Sequence, residues 1–482
     1  MPNFLADVAL LLWIPIGLAV FAVARPPVAA AIVIVGASLL LPSGHSFDFP
    51  GLPAIDRELI ASLAALVGCL VFSPERLRNR HPGQGVEILA VVLILGAFGT
   101  MLTNGDPEGT APGLTYHDAL STSVRQVLRF WLPFFIGRAL FRTPLELRSL
   151  LVVLTVAALL YSLPILWEIR MSPNLHLIVY GYAPANFFQQ MRGGGYRPMV
   201  FVGHGLALAM FVLSATIAAI GLARMRASVL GFSARAAAGY LATILFLCHS
   251  AAALVYGVVV APLLYLGRLA IQARIILIVA AIVLSYPLLR ALDWFPTTTL
   301  VEVARFFSED RAGSLDFRFV NEDALLEKAR ERVLFGWGGW GRALPAETPM
   351  GRPVTDGFWI ITFGQDGAVG FLCAFGLLLA PTVYAGRWLR QVPRSAESVA
   401  VAAMAWIVVL DAVDLLPNGF LPARAIFMAG ALTGAFQGQR SRTASGGRNH
   451  TVRSLQPKPG RAEGFASLAK AGRARERPST HS

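Results

Sequence analysis

Arg197 lies in GGGYRPMVFVGHG, residues 193–205, directly after a run of glycines and before a long apolar run. An arginine at such a boundary offers a planar fork of N–H donors that fits a phosphate bidentately, or it anchors a lipid headgroup. His204 follows inside the apolar run, where a lone histidine is either a packing residue or a polar contact for a substrate. Arg318 stands near the start of FRFVNEDALLEKARERVL (317–334), whose Phe317, Val320, Ala324, Leu325, Ala329 and Val333 recur at helical spacing. Arg318 and Glu322 are four apart and share a face of that helix, as do Glu327 and Arg330. The segment reads as an amphipathic helix on a membrane surface. The residues after it, FGWGGWGRALP (335–345), are rich in glycine, which permits positive φ and close backbone approach. Trp337 and Trp340 in that stretch suit either the interfacial aromatic belt or a platform for the C–H face of a sugar ring.

Two charged pairs fall inside apolar runs. Arg125 and Arg129 are four apart, and Asp411 and Asp414 are three apart. Charges at such depth are costly, so they are paired with one another or functional. The arginines would then bind a diphosphate, or the two pairs would neutralise each other.

These residues need a frame, and the composition supplies it. The chain is 55% hydrophobic and 14% charged, against about 25% charged residues in a soluble domain. Apolar runs near 5–24, 28–42, 57–73, 86–103, 121–140, 149–168, 199–222, 237–250, 252–267, 275–292, 358–385, 398–416 and 421–437 are each close to the length that crosses a bilayer as a helix. The fold class expected is an all-α polytopic membrane protein with about 12–13 transmembrane helices. A β-barrel would show short alternating strands instead. Short basic loops holding Arg76 and Arg78, Arg138 and Arg142, Arg224 and Arg226, Arg268 and Arg274, and Arg387 and Arg390 mark the cytoplasmic side. They alternate if 237–267 crosses twice with a tight turn near His249 and Ser250. Loops 104–120, 169–198 and 293–357 then lie outside, the last being a long, partly helical periplasmic loop. Residues 1–437 form the transmembrane domain. The first apolar run reads as a membrane helix rather than a cleaved signal peptide.

The net charge of +13 does not point to nucleic acid. Residues 440–482 hold ten Lys or Arg and two Glu, which is +8 of the +13. Residues 438–482 read as a disordered basic cytoplasmic tail suited to anionic lipid. Cys69, Cys248 and Cys373 all fall in apolar runs, with no disulfide or metal spacing. No Walker loop, dinucleotide fingerprint or kinase set occurs, so no nucleotide is expected as cofactor, and the cysteine spacing indicates no metal.

Taken in order, GYRPMVF, the stretch from Arg318 through Ala324 to VLFGWGGWG, and TDGFWIITFGQDGAVGFL around Gln365, Asp366 and Gly367 resemble the O-antigen ligase and Wzy-type polysaccharide polymerase superfamily over roughly residues 190–385. The resemblance implies a glycosyltransferase of the bacterial inner membrane. Its substrate would be an undecaprenyl-diphosphate-linked oligosaccharide, passed on the periplasmic face to an acceptor glycan or lipid A-core. Arg197 and Arg318 would hold the diphosphate leaving group. The ligases of that family carry a His-Asn pair before the next span where this chain has Asp356-Gly357, so Asp356 would accept the acceptor's proton. The family's aromatic after the loop arginine is also missing, with Glu322 near its place. Arg125, Arg129, His204, Glu322, Trp337 and Trp340 would contact substrate. Two other classes fit the same frame: a transporter or flippase for lipid-linked sugars, and a non-catalytic polysaccharide-assembly protein.

Overall fold

The computed structural model describes residues 1–49, 53–78, 85–192, 194–345 and 354–436; the basic tail lies outside the described residues. The helices in chain order are α1 (Phe4–Val23), α2 (Pro26–Leu40), α3 (Arg57–Phe72), α4 (Pro74–Arg78), α5 (Val86–Thr103), α6 (Tyr116–Gln126), α7 (Leu132–Leu140), α8 (Leu147–Met171), α9 (Leu175–Tyr180), α10 (Gly205–Arg224), α11 (Ala234–Leu247), α12 (Ala251–Leu266), α13 (Leu269–Ala291), α14 (Thr297–Phe307), α15 (Glu309–Arg330), α16 (Phe358–Leu389) and α17 (Ala396–Asp414), followed by α18 (Ala423–Phe436). The structure is 73% helical. The strands described form three two-residue hairpins, among them β1 (Met191–Arg192) paired with β2 (Gly195–Tyr196).

Side-chain caps set where several helices begin. Asn3 Oδ1 accepts from the Ala6 N–H at the head of α1, and Asp56 Oδ1 accepts from Leu59 at the head of α3. Thr115 and Asp118 form a capping box that starts α6. The His204 Nδ1 accepts from Leu206 and starts α10. That start lies after residue 199, where the apolar run begins. The reason is Glu168 at the end of α8, whose buried carboxylate takes the N–H groups of Met199 and Val200 at 2.8 Å each and that of Leu175 at 3.0 Å. These bonds hold 199–203 out of helix, with Val200 at φ 48°.

Seven helices are long and apolar enough to cross a membrane: α1, α5, α8, α10, α13, α16 and α17. α2, α11, α12 and α18 are shorter apolar helices. α6 and α7 run on from one another through a π-helical turn at Val127–Trp131. α10 and α17 are buried almost all round and form the centre. The outer helices do the reverse. Leu11, Leu12 and Ile16 of α1, and Ile88, Val91 and Leu95 of α5, are exposed. A continuous apolar exterior on a buried centre is what a hydrocarbon solvent selects, and supports a multi-pass membrane protein.

The contacts sort the loops into two ends. At one end Arg76 bonds the Leu140 carbonyl and Glu146, and Arg142 bonds the Arg76 carbonyl. Arg224 bonds the Leu264 and Gly267 carbonyls at the foot of α12. At the other end Ser43 bonds His176, Arg57 bonds the Phe201 and Val202 carbonyls, and Ala423 bonds Glu58. α11 and α12 form an up-down pair whose turn carries His249 at φ 51°. Residues 297–330 are helical as α14 and α15 with only the extended Ser308 between them, a longer stretch than the apolar spacing alone indicates.

Candidate functional site

The Gly-rich stretch after α15 fills a break in α16. Gly367 has φ 68° and ψ −165°, which interrupts the helix. The residues around Phe335 enter the gap. Trp337 N–H donates to the Gly364 carbonyl and Gly338 N–H to the Gln365 carbonyl, both at 2.8 Å. Beyond the break, Ala368 and Val369 donate to the Val333 and Leu334 carbonyls. Helix ends that would otherwise carry unsatisfied groups are completed by the inserted loop. Gly336 and Gly367 face each other so closely that a Cβ on either would sit 2.6 Å or less from backbone atoms, and both have positive φ. A clasp from below holds the loop in place. Asn104 donates to the Gly336 carbonyl, Thr100 to Phe335, and the buried Arg342 to Trp337 and Pro112.

The two tryptophans of this loop part company. Trp337 is buried, bonds the Lys328 carbonyl through its indole N–H, and lies with Lys328 Nζ 3.8 Å and Arg332 Cζ 4.5 Å from its ring centroid. Trp340 is 70% exposed and bonds Asp118 Oδ1 at 3.0 Å. It lines a pocket of ≈ 250 Å³ with Arg125, Gln365 and Asp366 among its walls.

A larger cavity of ≈ 480 Å³ opens between α3, α10, α17 and α18. Its charged walls are Asp56, Arg57, Glu58, Arg129, Asp411, Asp414 and Arg424. Arg57 is committed to Glu58 and two carbonyls. Three of the others have spare capacity. Arg424 and Asp411 are 3.8 Å apart, a long pair, and Arg424 Nε and Asp411 Oδ2 are buried without a hydrogen-bond partner among the described residues. Arg129 has no hydrogen-bond or ion-pair partner among the described residues; its guanidinium lies 5.5 Å from the Phe358 ring centre. Arg129 is exposed and lines the cavity.

The segment 415–422 forms the rim. Phe358 and Trp359, at the head of α16, donate their N–H groups to the Asn418 and Leu415 carbonyls. This backbone pairing brings Asp356 to the rim, where its Oδ2 lies 3.6 Å from Arg318 Nε. Arg318 also donates to the Pro417 carbonyl at 2.8 Å and to Asn418 Oδ1. Asn418 in turn donates to Asp414 inside the cavity. Arg318 and Asp356 are only about a third exposed, so a charged ligand at the rim would meet them partly shielded from water.

His204 stacks on Phe420 of the same rim at 4.9 Å. Arg197 lies further back. It donates to the His249 carbonyl at 3.1 Å and its stem presses on Gly205, where no Cβ would fit. Arg125 and Arg129, four apart in sequence, face different spaces: the pocket under Trp340 and the large cavity. The π turn that begins at Val127 separates them. Asp411 pairs with Arg424, not with Arg125 or Arg129. Glu322 is not in a cavity. It is buried, with both oxygens engaged by Trp359, Tyr286 and Arg290. Burial raises its pKa above the usual carboxylate range, against the pull of those three donors. Its partner is therefore Arg290 and not Arg318, although Arg318 is four residues away. Among the described residues no group of three or more His, Cys, Asp or Glu could hold a metal ion.

No family model matches the chain, and no curated protein matches it. The site therefore rests on its own geometry. Sequence reasoning missed Arg424, Asn418, Arg290 and Arg342. An ionisable residue in or beside an apolar run was the available signal for Arg424 and Arg290. Asn418 and Arg342 carried none.

Proposed function

We propose that this chain is a glycosyltransferase that transfers or polymerises undecaprenyl-diphosphate-linked oligosaccharide on the periplasmic side of a bacterial inner membrane, in cell-surface polysaccharide or exopolysaccharide biosynthesis. The observation that supports it most is the meeting of Arg318 with Asp356 at the rim of a cavity lined by Arg129, which has no hydrogen-bond or ion-pair partner among the described residues, and by the loosely paired Arg424. In this reading the seven long helices, the four shorter ones, α3 and the α6–α7 pair make thirteen crossings. The arginine-rich end faces the cytoplasm with the tail, and the rim faces the periplasm.

The chemistry follows from the groups present. The diphosphate takes N–H donors from Arg318, which exchanges Asp356 for phosphate, and from Arg129 or Arg424 deeper in. Asp356, released, accepts the proton of an acceptor hydroxyl as its oxygen attacks the anomeric carbon. The bond from that carbon to the diphosphate oxygen breaks with inversion, and the charge gathering on the leaving group is met by the guanidinium groups. The acceptor glycan or lipid A-core approaches over the rim. His204, stacked on Phe420, shapes that rim, and Arg197 positions the start of α10 behind it.

The interrupted α16 and the buried carboxylates favour one other reading, a transporter of lipid-linked sugars. Against it, the ends of the break are bonded to the inserted loop rather than open to a substrate. Polysaccharide profiles of a deletion strain complemented with wild type, Arg318→Ala or Asp356→Asn decide the matter at matched protein levels. The transferase reading expects the variants to leave sugars on the lipid carrier, outside the cytoplasm, with no long or transferred chains. Lipid-linked sugar trapped on the cytoplasmic side supports the transporter. A normal profile from Arg318→Ala removes the proposed role of this rim.

A further inference from the structure

We infer that the pocket beneath Trp340 is a separate binding site for one neutral pyranose unit of a glycan; this rests on the reading above only in that the chain handles sugars. Three features carry the inference. The first is size. The pocket holds ≈ 250 Å³. A hexose ring displaces on the order of six waters, or about 180 Å³, so the pocket has room for one ring.

The second is the indole. Trp340 sits at φ 59°, the left-handed region in which Gly336, Gly338 and Gly341 of the same stretch also lie. Glycine would adopt that backbone without penalty, yet a bulky side chain occupies it. The ring is 70% exposed, and its N–H is tied to Asp118 Oδ1 at 3.0 Å. Among the described residues no cation or aromatic ring stacks on its faces, in contrast to Trp337. An indole fixed at its edge with free faces is a platform for the C–H face of a sugar.

The third is the polar wall. The exposed Gln365 side chain has no hydrogen-bond partner among the described residues. Asp366 uses one oxygen for Gln126 and keeps the other. Arg125 spends one N–H on Thr122. These are donors and acceptors of the kind that hydroxyl groups satisfy in pairs. Asp118 and Asp366 against the single Arg125 make the wall net acidic, which disfavours a phosphate or an acidic sugar and selects a neutral ring.

The test uses the full-length protein in nanodiscs and the methyl α- and β-glycosides of glucose, galactose, mannose and N-acetylglucosamine, read by saturation-transfer-difference NMR. At least one glycoside is expected to bind in the millimolar range. Trp340→Gly, which suits the observed φ, should weaken it about three- to tenfold. Trp340→Phe, which keeps a ring but loses the Asp118 bond, should fall between. Trp294→Ala, at an exposed indole outside the pocket, should leave binding unchanged. Equal binding by wild type and Trp340→Gly overturns the inference, as does no binding of any glycoside up to about 50 mM. The two proposals fail separately. If a glycoside binds through Trp340 while Arg318→Ala makes normal product, the transferase reading fails and this site stands. If nothing binds while Arg318→Ala abolishes product, the site fails and the transferase stands.

Discussion

Two groups of buried charge in this protein are built in opposite ways. Around Glu322 every charge is spent: Trp359, Tyr286 and Arg290 fill both oxygens, and Arg290 reaches on to Asp323 at 2.6 Å. Around Arg424 and Asp411 charge is left over, and Arg129 faces the same cavity with no partner among the described residues. A filled network joins α13, α15 and α16 and has nothing to offer a ligand. A partly filled one in a cavity is costly to fold and is retained where a ligand completes it. The difference teaches that burial of a charge is a weak guide to function, and unspent hydrogen-bonding capacity a better one.

The comparison is easiest to break at its structural side. Glu322→Ala leaves Arg290 buried without its main partner and should cost about 3–5 kcal/mol, seen as a large drop in melting temperature or loss of folded protein in detergent. If Glu322→Ala is as stable as wild type, the network is not the structural joint described here. Next is the rim. Arg318→Ala should reduce product formation by about 10²–10³-fold with little change in melting temperature, since its carbonyl partners at 417 remain reachable by water. A loss of stability that matches the loss of product would make Arg318 a structural residue like Arg290.

Arg129→Gln sharpens the contrast further. With no hydrogen-bond or ion-pair partner among the described residues to abandon, and only the Phe358 ring contact to lose, it should change stability by less than about 0.5 kcal/mol, yet lower product by about tenfold or more through weaker diphosphate binding. Unfolding on removal of Arg129 would show that the cavity charge is structural after all. The smallest effect concerns His176, in the short helix α9. It is buried, accepts from the Ser43 N–H at Nε2 and donates from Nδ1 to the Tyr182 carbonyl. Burial lowers its pKa from the ordinary 6.5, the Tyr182 bond opposing this and Arg57 adding to it. A depressed folded pKa means that the contribution of His176 is complete above pH 6.5 and is lost as pH falls through the folded value. Melting temperature should therefore drop between pH 7.5 and 5.5 by more in wild type than in His176→Gln. Equal drops would place the acid sensitivity elsewhere.

Much of the frame was legible in the sequence because hydrophobic run length reports directly on the solvent a helix faces. Each apolar run falls on a helical segment, including 237–250 and 252–267, which are α11 and α12 with the turn near His249 between them. The starts were less legible. α10 begins at Gly205 and not near 199 because the carboxylate of Glu168, from another helix, takes the N–H groups of 199 and 200. The pairing of Arg318 with Glu322 is what i,i+4 spacing suggests, but the local term is worth only about 0.2–0.5 kcal/mol. Burial against Arg290, Tyr286 and Trp359 overrides it.

By itself, then, the sequence determined the class of solvent, the approximate positions of the helices and which residues carry charge into apolar surroundings, all of which follow from local composition. Tertiary structure alone decided that Trp337 is covered and Trp340 is open, that Arg125 and Arg129 face different spaces, and that Asp356 meets Arg318. The first and the last depend on backbone contacts between distant segments, 333–338 with the break in α16 and 357–359 with 415–418, and the second on the π turn at Val127–Trp131. Such contacts bring residues together with no trace in the spacing of the residues that make them.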